Sequence, residues 1–248
     1  AGVEILPFDA AGPALAAATH LLVTAQPGEA GDPVLAAHGA ALAGAPLRWV
    51  GYLSTTGVYG DRGGRWVAET SPPAPGQERT HRRRVAEEEW AGFADRAAVD
   101  LFRAGGIYGP GRSVFDELRE GTARRTLNPG HAFSRIHRDD IGAAVLAALR
   151  TAPRSGVRVL HLVDDLPAES AAVVEEAARL LGVPPPPAIP FEVAARAMSP
   201  MALSFWAENR RVANAATKAA LGLAWRYPSY REGLRAILEE ERREGAAE

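Results

Sequence analysis

Apolar and polar positions along the chain fall into short blocks whose period switches between strand-like and helix-like spacing. Val3 to Phe8 reads as a short extended run, followed by an Ala-rich helical stretch from Ala10 to Ala18. His20-Leu21-Leu22-Val23-Thr24 carries a continuous apolar run of the kind found in buried parallel strands. The loop Gln26 to Pro33 leads into an Ala-rich helix from Val34 to Ala43, and Arg48 to Leu53 predicts another buried strand, ending at Ser54-Thr55-Thr56. After a Gly/Pro-rich loop from Tyr59 to Gln77, Thr80 to Phe93 predicts a charged amphipathic helix. Val99 to Arg103 predicts a further strand, Asp139 to Leu149 a helix, and Val157 to Val163 the last clear strand.

This alternation argues for an α/β fold, a doubly wound parallel sheet with helices on both faces. The final third differs. Ala168 to Leu181 reads as a helix, Val183 to Pro187 as a stiff Pro-rich connector, and Val212 to Glu244 as largely helical. The expected organisation is a Rossmann-like core over 1–112 with 134–165, and a smaller, mostly helical lobe over 113–133 with 166–248 on the substrate side. No internal repeat is present.

Composition narrows the function classes. A chain of 248 residues with 47% hydrophobic and 23% charged positions can bury a full core. It has no Cys, which excludes disulfides and thiolate metal sites and fits a cytoplasmic, reducing location. The net charge of −2 gives no global attraction to nucleic acid or acidic membranes. The sequence has no apolar run of bilayer-spanning length and no signal-peptide pattern. Lys218 is the only lysine and every other cationic side chain is Arg, which stays charged and so cannot replace a catalytic Lys in every role.

In parallel α/β sheets, ligands gather at the carboxyl ends of the strands. Three such ends carry unusual residues: Thr24-Ala25-Gln26-Pro27, Ser54 to Asp61, and Arg103 to Arg112. A strand-end hydroxyl such as Thr55 can serve chemistry, or simply satisfy loop backbone. His131 and His137 lie near Asp139 and Asp140, but those carboxylates suit a helix N-terminus, and no metal site is expected.

Leu53-Ser54-Thr55-Thr56-Gly57-Val58-Tyr59-Gly60-Asp61 resembles the strand-end signature of extended short-chain dehydrogenases/reductases, the NAD-dependent epimerase/dehydratase-like proteins. Arg103-Ala104-Gly105-Gly106-Ile107-Tyr108-Gly109-Pro110-Gly111 and Ile136-His137-Arg138-Asp139-Asp140-Ile141 resemble two later segments of that family, in the same order. The resemblance runs from about Asp9 to Tyr227-Pro228-Ser229-Tyr230-Arg231. It implies NAD or NADP as cofactor and a small polar or nucleotide-sugar substrate. It also implies a homodimer formed through helices flanking the sheet.

Site roles carry over one residue at a time. Thr55 matches the catalytic Ser/Thr that hydrogen-bonds the reacting oxygen, with Ser54 beside it at the cofactor. Asp9 matches an adenine contact, although it could equally cap the helix after it. Thr24, Ala25 and Gln26 match the stretch under the cofactor's ribose and phosphates. Ala104, Gly105 and Gly106 match the stretch beside the nicotinamide. Tyr108, Arg112 and Arg135 fall where extended members hold substrate.

Two departures stand out. Counting back from Ala86-Glu87 puts Thr80 and Arg84 at the positions of the family's catalytic Tyr-x-x-x-Lys pair. Thr80 is a poor proton donor, and Arg84 is expected to bind the cofactor's ribose or phosphate. Arg82 and Arg83 read as solvated, and His81 is expected to face away from the site. The second departure is that no Gly-x-x-Gly-x-x-Gly pyrophosphate loop opens the chain. By the family's layout two strands and two helices would precede Ala1, so a partial sequence is expected. The expected function is an NAD(P)-dependent oxidoreductase or epimerase-like enzyme. The alternative is a non-catalytic dinucleotide-binding sensor or scaffold.

Overall fold

The computed structural model describes residues 2–245. Its first regular elements are a 3-10 turn at Phe8–Ala10 and helix α1 at Gly12–Ala16. The strand expected over Val3 to Phe8 does not form. Val3 and Ile5 are 90% exposed and no described strand lies alongside them, so that segment has neither a ladder nor a packed face. Asp9 accordingly sits in the 3-10 turn rather than at a strand end, and α1 has Ala11 as its N-cap with no side-chain cap bond.

The sheet then builds in step with the expected alternation. Strand β1 (His20–Val23) is followed by α2 (Pro33–Gly44), β2 (Trp49–Thr55) and a two-residue strand β3 (Trp66–Val67). Next come α3 (Glu78–Ala91), β4 (Ala98–Ala104), β5 (Gly106–Tyr108), α4 (Val114–Arg119), β6 (Arg125–Leu127) and β7 (Arg135–His137). Helix α5 (Arg138–Thr151) leads into β8 (Gly156–Leu162). The remaining elements are α6 (Ser170–Leu181), β9 (Ala188–Pro190), α7 (Phe191–Ala194), α8 (Pro200–Trp206), β10 (Arg211–Val212), α9 (Ala215–Leu221) and α10 (Tyr230–Gly245).

The central sheet has the order β1-β2-β4-β8, every pair parallel and in register from Trp49↔Ala98 to Thr55↔Ala104. Alternation along each strand divides the core. Val50, Tyr52, Val99 and Leu101 point to the face covered by α2 and α3, against Leu42, Ala86 and Trp90. Trp49, Ala98, Phe102 and Leu160 point to the other face, against Ala144 and Ala148 of α5. Gly51 is required here, because a Cβ on it would lie 2.2 Å from the Trp49 ring that folds across it. The Trp49 indole donates to Asp100 Oδ2 at 2.7 Å, and Arg158 grips the same buried carboxylate through two nitrogens.

The helical lobe forms a separate cluster of Phe115, Val173, Ala177, Tyr230, Leu234 and Ile237, contributed by α4, α6 and α10. Not all of 166–248 joins it: Leu221 at the end of α9 and nearby Trp225 pack into the sheet's own core with α5 and β8.

Candidate active site

A cavity of about 390 Å³ opens at the carboxyl ends of β2 and β4. Thr55, Thr56 and Gly57 line it from one strand end, and Ala104, Gly105 and Gly106 from the other. Phe133, Ser134 and Arg135 close the side before β7, while Phe205, Trp206, Glu208 and Arg210 come from α8 and the segment after it. A second cavity of about 460 Å³ shares Arg135 and Ser170 with the first, and gathers Tyr108, Arg112 and Arg124. The three residues expected to hold substrate, Tyr108, Arg112 and Arg135, thus meet in one place.

Thr55 caps the turn Thr56–Tyr59 by accepting from the Gly57 N–H at 3.1 Å. That bond uses an oxygen lone pair and leaves the hydroxyl proton free to donate into the cavity. A strand-end cap and a substrate-orienting donor are therefore compatible in one side chain.

Beneath Thr55 runs a buried polar chain. Ser54 Oγ donates to Glu87 Oε1 at 2.6 Å, so Ser54 faces the interior and not the cavity. Arg103 clasps Glu87 with Nε at 2.9 Å and Nη2 at 2.6 Å, and donates from Nη1 to the Tyr59 hydroxyl at 2.7 Å. His161 Nδ1 donates to the Ala213 carbonyl at 2.6 Å, which leaves Nε2 to accept from Tyr59 at 2.6 Å. Burial pushes the Tyr59 phenol up and His161 down, so both stay neutral. The chain fixes β2, α3, β4 and β8 to one another directly under the cavity floor.

Helix α3 corrects the expected register. Thr80 is fully buried, and its hydroxyl donates to the Gln77 carbonyl at 2.8 Å while accepting from the Gln77 N–H, which caps the helix. Arg84 pairs with Glu88 at 2.8 Å and Glu87 at 3.4 Å, away from the cavity. One residue earlier, the stripe Arg79, Arg83, Glu87 faces the strand ends at i, i+4, i+8. Arg79 lines the cavity. Arg83 is not solvated: its Nη1 donates to the Leu53 carbonyl at 2.9 Å, Tyr52 Oη at 3.2 Å and the Ala25 carbonyl at 3.4 Å. The signal that could have set this register is Glu87, an acid whose fixed partner on β4 is Arg103.

Thr24 and Gln26 lie exposed at the end of β1, flanking Ala25, with Arg83 beside them. Asp9 is exposed and distant in sequence from any cavity-lining residue. Tyr108 lines the second cavity with its hydroxyl held to the Ser229 carbonyl at 3.4 Å, and burial pushes that phenol far up. His131 and His137 are engaged separately, His131 against Phe133 and Trp206, His137 between Tyr108 and Tyr227. Among the described residues no helix is long and apolar enough to cross a membrane.

Sequence reasoning missed Arg79, Arg103, Glu208 and Arg210. Arg79 Nε, Ser134 Oγ and Glu208 Oε1 are buried, lack hydrogen-bond partners, and belong to residues lining the first cavity. Orphaned polar atoms gathered at one cavity mark a place built for a ligand. For a nicotinamide cofactor, the open floor of Thr55–Gly57 and Ala104–Gly106 fits the nicotinamide end, with Arg83 at the adjoining strand ends.

No family model matches the chain. It is 33% identical over 168 residues to a 3-diazoavenalumate denitrifying reductase from a Streptomyces species, covering 65% of this chain and 54% of that protein. The chain spans about half the length of the curated relatives it matches. A conserved protein of unknown function from Silicibacter pomeroyi superposes with a TM-score of 0.82 at 44% identity, over 90% of this chain and 78% of that one. MoeE5, solved with UDP-glucuronic acid and NAD, superposes with a TM-score of 0.71 at 19% identity over 91% and 80%, a likeness of fold.

Proposed function

We propose, for a chain that belongs to the extended short-chain dehydrogenase/reductase family, an NAD(P)-dependent oxidoreductase or epimerase-like activity on a small polar substrate. The observation that carries this reading is the cavity at the carboxyl ends of parallel strands, floored by Thr55 and the Ala104–Gly106 backbone. The bound nicotinamide would supply or accept a hydride. NAD in MoeE5 supports the same cofactor class for this chain.

Each residue then has a task in this reading. Thr55, held by the Gly57 N–H, donates to the reacting substrate oxygen. Arg83 holds the cofactor ribose or phosphate from the ends of β1 and β2, in the position the family gives to Lys. Arg79 occupies the position of the family's Tyr, and a guanidinium does not give up a proton near neutral pH. Glu208 is the carboxylate among the lining residues, and so the group there able to take or return a proton. Tyr108, Arg112 and Arg135 bind the distal part of the substrate in the second cavity.

Titration calorimetry of the full chain with NADH and NADPH tests the reading. Saturable binding of either in the micromolar range carries it forward to substrate screening. The absence of binding by both overturns it, and leaves a protein that keeps the fold for another purpose.

A further inference from the structure

Resting on the proposed reading, we infer that the first cavity takes a small aromatic acid and holds its carboxylate on Arg79. The charge of the lining is lopsided. Three guanidinium groups, Arg79, Arg135 and Arg210, face one carboxylate, Glu208. Arg210 is already paired with Glu208 Oε2 at 2.8 Å, and Arg135 donates to the Phe133 and Ala168 carbonyls. Arg79 has no such partner. Its Nε is buried with nothing to donate to, and among the described residues Arg79 forms no ion pair, Glu208 attracting it only from a distance. The guanidinium is half-buried and lines the cavity, so a ligand carboxylate would offset its partial desolvation with charge-assisted hydrogen bonds.

The apolar half of the cavity specifies the rest of the molecule. Phe133 and Trp206 meet edge to face with centroids 5.0 Å apart, forming a stiff aromatic wall. Phe205 lies under the Arg79 guanidinium at 4.1 Å, so the cation is flanked by one ring and open to a second. Ser134 Oγ, also buried without a partner, offers a hydroxyl at the same wall. A volume of about 390 Å³ lies at the low end of small-molecule sites, which suits one ring with a short acidic arm.

The test uses 4-hydroxycinnamate and its neutral amide, titrated into the full chain with and without NADH or NADPH, and into Arg79→Gln and Arg79→Lys. The acid should bind at least tenfold more tightly than the amide. Arg79→Gln should erase that preference while Arg79→Lys keeps part of it, with both variants melting as the parent does. Phe205→Ala should weaken acid and amide alike. Equal affinity for the two compounds, no binding of either, or an acid preference that survives Arg79→Gln would overturn the inference. Acid binding without binding of either nucleotide sinks the oxidoreductase reading and keeps this ligand class. Nucleotide binding without acid binding does the reverse.

Discussion

Gly57 and Thr80 touch so closely that a Cβ on Gly57 would lie 2.6 Å from Thr80 Cγ2. This contact seats the N-terminus of α3 against the strand-end turn that carries Thr55. Thr80 is a fully buried β-branched residue whose hydroxyl is tied to Gln77, so its methyl cannot swing aside. Gly57→Ala should therefore destabilise the protein by about 1–3 kcal/mol, the usual cost of overpacking. Thr80→Ser removes the obstructing methyl and keeps the cap. In urea unfolding, the double variant should recover most of that loss, giving a coupling energy well above 0.5 kcal/mol. Additive effects of the two changes would show that the contact does not set the helix.

The same contact explains what the sequence could and could not reveal. The parallel sheet is readable because short, largely apolar runs such as Arg48–Leu53 and Val99–Arg103 are bounded by loops and separated by helical spacing. Strand ends are readable too: Thr55 and Gly105, expected at the carboxyl ends of strands, both line the first cavity. The helix register is not. Arg79 through Arg84 offers four arginines in six positions, and an amphipathic pattern shifts by one residue without any change in composition. Only tertiary partners, Gly57 for Thr80 and Arg103 for Glu87, decide which arginines face the site. Ser54 was misplaced for a related reason: its neighbour Thr55 faces the cavity, and alternation along a strand turns Ser54 the other way.

Register yields a direct contrast between adjacent arginines. Arg83 reaches the backbone at the ends of β1 and β2, whereas Arg84 pairs with glutamates on its own helix. Arg83→Ala should weaken NADH or NADPH binding by about ten- to a hundredfold, the worth of a charged hydrogen bond. Arg84→Ala should leave the affinity within about twofold, since Arg84 lines neither cavity. Calorimetry on the two variants side by side decides it, and the opposite ranking would restore the register expected from the sequence.

The Glu87–Arg103 pair is expected to behave as a buried ion pair whose partners cannot be removed singly. Their side chains are 0% and 3% exposed, and Arg103 also supports Tyr59. Arg103→Met leaves the buried Glu87 with only its longer 3.4 Å pairing to Arg84, at a cost of about 3–5 kcal/mol. Replacing Glu87 by Gln as well relieves much of it, because a neutral amide can stay buried if bonded to Ser54. Denaturant midpoints of the single and double variants check this; a double variant no better than Arg103→Met would mean that Tyr59, and not the charge, dominates.

Asp164 gives the fold a pH dependence that can be isolated. It lies just beyond β8, its Oδ2 is buried without a partner, and burial raises its carboxyl to about 7 despite nearby Arg135. An acid whose folded pKa lies above its unfolded value is stabilised by the fold only while protonated. Below about pH 4 the group is neutral in both states and costs nothing. As pH rises from about 4 to about 7, the unfolded chain releases the proton while the folded chain retains it, so stability falls. Above about 7 both forms are ionised and the loss levels off, on the order of 4 kcal/mol in total. Asp164→Asn removes the titration. The difference in unfolding free energy between parent and variant, followed by urea denaturation at steps from pH 4 to pH 8, should shift in the variant's favour across that window and flatten beyond it. A difference that is constant with pH would mean that the Asp164 carboxylate finds adequate solvation from Arg135 and is ionised throughout.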